Sequence, residues 1–283
     1  MNAALLRVRN LQVEFGRQTA VRDVNFDLFS AETVGLVGES GAGKSTLARA
    51  LLRLLQPAQG SVELLGQDLL KSPAAAMRAQ RRNVQMVFQD PLASLNPRMT
   101  VGAAIAEPLL IFERKLTAAA RREKVAAILQ RVGLDPDMAA RYPHEFSGGQ
   151  CQRIGIARAT VLQPKLLVCD EAVSSLDVSI QGQIINLLLD LQQDMGMAML
   201  FISHNLAVVR HLSHRVMVMY LGKLVEIAAS DALFAAPVHP YTRALLSAVP
   251  QIPPVVGYLK PAPLAEATLA PGLAPGLPKP HHP

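Results

Sequence analysis

The chain has no tryptophan and only two cysteines, Cys151 and Cys169. Two thiols exclude a disulfide framework, a four-cysteine zinc site and a cysteine-ligated iron–sulfur cluster within this chain. A reducing compartment is the simplest expectation. Aromatic residues are scarce at 4% and charged ones reach only 18%, yet half the chain is apolar. That is not the composition of a disordered protein. No apolar run reaches the roughly 18 residues that a membrane-spanning helix requires. The first residues are cut by Arg7, Arg9 and Glu14 and offer no apolar stretch for a secretory leader. The chain is expected not to cross a membrane by itself, although it can sit against one.

What is present is enough for a large core. At roughly 150 residues per domain, a chain of 283 residues makes two domains or one large α/β domain. Lys and Arg number 28 against 22 Asp and Glu, a net charge of +6. That balance suits nucleic acid, an anionic membrane surface or nucleotides, and does not choose among them.

Val24–Leu28 alternates apolar and polar residues, as a half-buried strand does. Thr33–Val37 is a short apolar run ending at Gly38. A glycine-rich stretch follows, then a helical pattern on Leu47, Leu51, Leu52 and Leu55 that Pro57 and Gly60 stop. Val84–Phe88, Leu166–Cys169 and Met199–Ile202 are short and apolar, as central parallel strands are. Ile180–Asp194 between the last two reads as a helix. Strands alternating with helices predict a parallel α/β sheet. Residues 91–165 differ, with helical runs such as Ala118–Val132 between Pro-containing turns. Beyond Gln251 prolines interrupt every periodicity, and residues 259–283 read as an extended or disordered Ala/Pro/Leu tail. His281 and His282 belong to that tail and are not expected to bind metal.

Gly38-Glu39-Ser40-Gly41-Ala42-Gly43-Lys44-Ser45 fits G-x-x-x-x-G-K-[ST], and Thr46 follows it. Glycines let backbone amides turn inward around phosphate oxygens, and the next helix points its positive end at the same anion. Lys44 can bridge β- and γ-phosphates, and the Ser45 hydroxyl can ligate Mg²⁺. A strand before and a helix after make a chance glycine turn a poor explanation. Leu166–Cys169 then delivers Asp170 and Glu171 at the end of a buried strand. Asp170 stands where a P-loop protein holds Mg²⁺, commonly through water. Glu171 can act on the attacking water as general base.

Phe146-Ser147-Gly148-Gly149-Gln150 resembles the LSGGQ signature of the ABC-transporter ATPases. Over roughly residues 5–250 the other motifs of that family stand in its order. Gln89 matches the Q-loop, Ser174-Ser-Leu-Asp177 the D-loop and His204 the H-loop. Phe15 matches the aromatic residue that stacks on adenine. The resemblance implies a P-loop α/β core with an N-terminal antiparallel β portion and a helical subdomain. It divides the chain into a core (1–90 and 166–236), a helical signature lobe (91–165), a C-terminal extension (237–258) and the tail (259–283). It assigns catalysis to Glu171, His204 and Gln89, and metal binding to Ser45, Gln89 and Asp170. Nucleotide contacts fall to Phe15, to residues 38–46, to Ser147, Gly148, Gly149 and Gln150, and to Asp177. The cofactors implied are ATP and Mg²⁺.

A narrower resemblance links Gln89-Asp-Pro-Leu-Ala-Ser-Leu-Asn-Pro-Arg98 and His239-Pro-Tyr-Thr-Arg-Ala-Leu-Leu246 to the ATP-binding subunits of dipeptide, oligopeptide and nickel importers. Ala172, where peptide importers usually carry proline, keeps the nickel branch open. The family pairs the signature of one subunit with the P-loop of another, so a second ATPase subunit is expected, identical or different. Two membrane permease subunits are expected partners, docked near Gln89–Arg98 on the cytoplasmic face of the inner membrane, with an extracytoplasmic solute-binding protein as an indirect one. A nucleic-acid partner is not expected. The competing reading, a non-transport ABC ATPase acting on nucleic acid, finds no coiled-coil insertion, zinc cysteines or second cassette. A generic P-loop kinase or GTPase has no use for Phe146–Gln150. Cys169 reads as core packing. Cys151 follows the signature at a helix start, where the dipole is expected to lower a thiol pKa and make it reactive; the alternative is an inert helix residue.

Overall fold

A computed structural model describes residues 3–248. The proline-rich tail and the last part of the C-terminal extension lie outside the described residues.

The strands are β1 (Leu6–Phe15), β2 (Gln18–Leu28), β3 (Thr33–Val37), β4 (Gln59–Leu64), β5 (Gln67–Asp68), β6 (Val84–Val87), β7 (Leu166–Asp170), β8 (Ala198–Ile202), β9 (Arg215–Tyr220) and β10 (Lys223–Ala229). They form two sheets. One is antiparallel, in the order β2-β1-β4-β5. The other has the order β10-β9-β3-β8-β7-β6 and is parallel except for the edge strand β10.

Every residue of β3, β7 and β8 is buried. That is why these strands read as unbroken apolar runs rather than alternating ones. Their alternation is between two cores. Leu166, Val168, Leu200, Ile202, Met217 and Met219 face the antiparallel sheet and helix α1 (Lys44–Leu51). Leu167, Cys169, Met199, Phe201, Val216 and Val218 face the opposite way, onto α7 (Val178–Met195), α8 (Leu206–Leu212) and the helices described next. A period of two sends neighbours to opposite sides, and here both sides are dry.

After α2 (Ala74–Gln80) and β6 the chain runs through α3 (Pro91–Ser94), α4 (Val101–Phe112), α5 (Ala118–Arg131) and α6 (Gly148–Thr160). Their starts are marked locally: Asp90, Thr100 and Thr117 each accept a backbone amide of their own first turn. Arg158 on α6 staples this group. It donates to the Ser94 carbonyl at 2.7 Å and to Glu107 at 2.8 Å. Helices α9 (Ser230–Ala235) and α10 (Pro240–Ser247) follow the last strand.

One boundary departs from the sequence reading. The helical pattern runs to Leu55, but α1 stops at Leu51. Arg53 takes a left-handed φ of 51°, and the Leu54 amide reaches back to the Arg49 carbonyl at 2.8 Å. This is a glycine-type helix end made by an arginine, whose guanidinium donates to the Leu69 and Ser72 carbonyls.

Candidate functional site

Parallel order puts the chemistry on one edge. Leu36 pairs with Ile202, Ile202 with Asp170, and Cys169 with Val87. The carboxyl ends of β3, β8, β7 and β6 therefore open onto the same rim, the usual ligand edge of an α/β sheet. From that rim leave, respectively, the loop at Gly38, the Ser203–His204 segment, Asp170–Glu171 and the Phe88–Gln89 connection.

The loop after β3 is shaped by three glycines at positive φ. Gly38, Gly41 and Gly43 have φ of 152°, 81° and 104°. A Cβ on Gly38 would lie 2.2 Å from the Met219 carbonyl oxygen, and one on Gly43 2.4 Å from that of Ala20. The Lys44 ammonium folds over the loop and donates to the Gly38 and Glu39 carbonyls at 2.8 and 2.9 Å. Burial holds it below the ordinary lysine value, against the pull of the Glu171 and Asp170 carboxylates.

Ser45 and Asp170, distant in sequence, meet here: the Ser45 hydroxyl donates to Asp170 Oδ1 at 2.8 Å. Burial raises the Asp170 carboxyl, and the Ser45 bond, then Arg49, oppose it. Glu171 has a left-handed φ of 51°. Its amide is held by the Ile202 carbonyl at 3.0 Å, and its Oε1 lies 3.6 Å from His204 Nδ1. That is long for a hydrogen bond but places the imidazole beside the carboxylate. Gln89 is exposed just past β6. Phe15 closes β1 and is half exposed, paired with Gln18 at the tip of the β1–β2 hairpin. That hairpin reaches the loop through Ala20, the residue that crowds Gly43.

The second group of candidates is elsewhere. Ser147 caps α6, its hydroxyl accepting the Gln150 amide at 3.3 Å, while the Gln150 side chain accepts the Ser147 amide at 3.0 Å. Ser147 and Gly148 are exposed. A Cβ on Gly149 would sit 2.7 Å from Ile180 Cγ2, so the signature rests against the start of α7. Asp177, the exposed residue before that helix, makes no side-chain cap. The structure thus brings Lys44, Ser45, Asp170, Glu171 and His204 to one rim and sets Ser147–Gln150 against the start of α7, which follows the exposed Asp177.

The expectation for Cys151 is corrected. Its position near the helix start is as read, but the side chain is fully buried. Burial pushes the thiol up rather than down, and Sγ lies 3.5 Å from the Pro143 carbonyl it can donate to. Desolvation outweighs the dipole. In the folded chain, a thiol reagent is expected to label Cys151 at least about tenfold more slowly than after denaturation, as timed labelling with mass readout would show. Cys169 is core packing, as read.

Sequence reasoning missed what supports the loop from the C-terminal side. The Gly222 amide donates to the Ala42 carbonyl at 3.0 Å, and the Glu39 amide donates to the Tyr241 hydroxyl at 3.1 Å. The 239–246 string marked Tyr241 as a subfamily residue without giving it a task.

The comparisons with known proteins agree with this fold. An ABC transporter family model matches residues 21–174, more than half of the chain. The chain belongs to the ABC transporter ATPases. A second model, the C-terminal region of oligopeptide/dipeptide transporters, matches residues 225–271. The oligopeptide transport ATP-binding protein OppF of Haemophilus influenzae is 56% identical over 231 residues, 82% of this chain and 70% of that one. Among solved structures, cbiO1 of Clostridium perfringens, part of the ABC transporter complex cbiONQ, aligns with a TM-score of 0.75 at 25% identity, covering 82% of this chain and 91% of that one. The dimeric post-hydrolysis state of the ATP-binding cassette MJ0796, bound to ADP and Pi, aligns with a TM-score of 0.72 at 25% identity, covering 80% and 98%. This ABC ATPase therefore has the fold that the motifs implied, with an antiparallel sheet beside a P-loop core.

Proposed function

We propose that this ABC ATPase powers the import of dipeptides or oligopeptides. The observation that carries the reading is the match of residues 225–271 to the C-terminal region of oligopeptide/dipeptide transporters, on a chain whose relative OppF is named for oligopeptide transport. Nickel import, left open by Ala172, is the alternative that the test below separates.

In this reading ATP lies against residues 38–46, with Phe15 on the adenine and Lys44 leaving its two carbonyls for the phosphates. Ser147 and Gly148 are exposed at the start of α6, and in this reading that end of the helix meets the γ-phosphate of ATP held by a second ATPase subunit. Asp177 lies at that same junction. The fit to Mg²⁺ rests on the Ser45–Asp170 pair, a set of hard oxygen donors already in contact. Ser45 and Asp170, joined by Gln89 from the lobe, are the residues that would hold the ion. Bound there, Mg²⁺ would neutralise charge on the β- and γ-phosphates. Glu171 takes the proton of the attacking water, and His204 orients it. Positioning and electrostatics supply the rest of the rate.

No helix among the described residues is long and apolar enough to cross a membrane. We place the chain at the cytoplasmic face of the inner membrane, on two permease subunits that receive peptide from an extracytoplasmic binding protein. The docking surface is a groove of about 620 Å³ between the core and the 91–165 lobe, lined by Arg81, Met86, Phe88, Pro91, Ile111 and Arg158 among others. Arg158 ties the groove wall to the signature helix, a route by which closure around ATP reaches the membrane.

The test is uptake in a strain lacking this gene, complemented with wild type or Glu171→Gln, with labelled dipeptide, oligopeptide and nickel offered in parallel. Peptide uptake restored by wild type alone is the expected result. Restoration of nickel uptake instead would replace the substrate class.

A further inference from the structure

The segment 223–247 is anchored to its own strand and then to the phosphate loop. Glu226 on β10 accepts the amides of Val238 and His239, both at 2.9 Å. His239 Nδ1 accepts the Tyr241 amide at 3.1 Å, capping α10. These bonds set where the Tyr241 side chain leaves the helix. Its ring stacks on Tyr220 with centroids 4.1 Å apart and planes at 28°, a geometry that holds an aromatic pair in place. The phenol oxygen at the end of that ring accepts the Glu39 amide.

Tyr220 also ends β9, and the turn that follows it reaches the loop. Directly after it come Leu221, with φ 46°, and Gly222, whose amide donates to Ala42. The loop is thus held on both flanks of its apex, at Glu39 by α10 and at Ala42 by the β9–β10 turn. Glu39 lies ahead of the residues at the helix start whose amides face an anion. The phenol takes the Glu39 amide and leaves the amides of the helix start to phosphate.

We propose that Tyr241 is a positioning residue for nucleotide binding: its hydroxyl fixes the curvature of residues 38–43 before ATP arrives, so that less ordering is left to be done on binding. The inference rests on the loop being the ATP phosphate site. Linkage makes the effect reciprocal, so ATP should hold α10 more tightly in place.

Tyr241→Phe separates the hydroxyl from the ring, because phenylalanine keeps the stack on Tyr220. The full-length chain is titrated with a fluorescent ATP analogue, and KM and kcat for ATP are measured alongside. Loss of one hydrogen bond is expected to raise Kd and KM about three- to tenfold, with kcat within about twofold and the melting temperature nearly unchanged. Lys44→Ala, tested beside it, should abolish binding; if it does not, the phosphate-loop reading fails and not the role of Tyr241. Hydrogen exchange on the wild type gives a second readout that needs no variant. Amides of α10 should exchange more slowly with ATP than without. Unchanged Kd in Tyr241→Phe, or a lowered melting temperature with unchanged Kd, would overturn the proposal, as would α10 exchange indifferent to ATP.

Discussion

Replacing Glu171 by glutamine is expected to cut ATP turnover by about 10²- to 10⁴-fold, the range of general-base catalysis, while ATP affinity stays within about threefold of wild type. The amide keeps the size of the carboxylate and loses its ability to take a proton. The backbone that aims it should survive, because the Glu171 amide bonds the Ile202 carbonyl whatever the side chain is. The left-handed φ at Glu171 is costly for a residue with a side chain. It lifts the carboxylate off the line of β7, where Asp170 still sits in the ladder, and brings it beside His204. Phosphate release by purified protein and equilibrium binding of a fluorescent nucleotide give the two numbers. Turnover within tenfold of wild type would show that another group takes the proton.

Gly43→Ala should act on the other half of the reaction, weakening ATP binding by about two orders of magnitude. Two independent penalties fall on one methyl group. The φ of 104° is outside what an L side chain adopts without strain, and the added carbon would stand 2.4 Å from the Ala20 carbonyl oxygen. Ala20 belongs to β2 and cannot retreat without disturbing the β1–β2 hairpin, so the loop must move instead. Each penalty costs roughly 1–3 kcal/mol. A factor of one hundred corresponds to about 2.7 kcal/mol. The free loop relieves the strain by moving and has to be forced back to bind ATP, so circular dichroism and the melting temperature should change little. ATP binding at wild-type strength would mean that the loop closes around phosphate in another shape.

The parts of this protein that were legible in the sequence are those whose signal is local. β3 stands at Thr33–Val37 as read, because five buried residues are bounded by Glu32 and Gly38. The start of α6 was legible because Ser147 and Gln150 satisfy each other across one turn. The early end of α1 was not, since Arg53 does the work usually left to glycine. Burial of Cys151 was hidden for a different reason. Sequence places it near a positive helix end, but only packing shows that no water reaches the thiol. Tyr241 and Glu39 are 202 residues apart, and no periodicity connects a tyrosine on a late helix with an amide in the first glycine loop. Sheet order makes the contact: β9 lies next to β3, so whatever follows β9 and β10 is returned to the rim where the loop begins.

The most direct measurement is ATP turnover by the complete transporter in lipid vesicles, with its binding protein and candidate substrates supplied on the outer side. A peptide importer should hydrolyse ATP faster when a di- or oligopeptide is added, show no response to nickel, and fall silent when this chain carries Glu171→Gln. Turnover that ignores peptide, or rises with nickel alone, would contradict peptide import as the work of this ATPase.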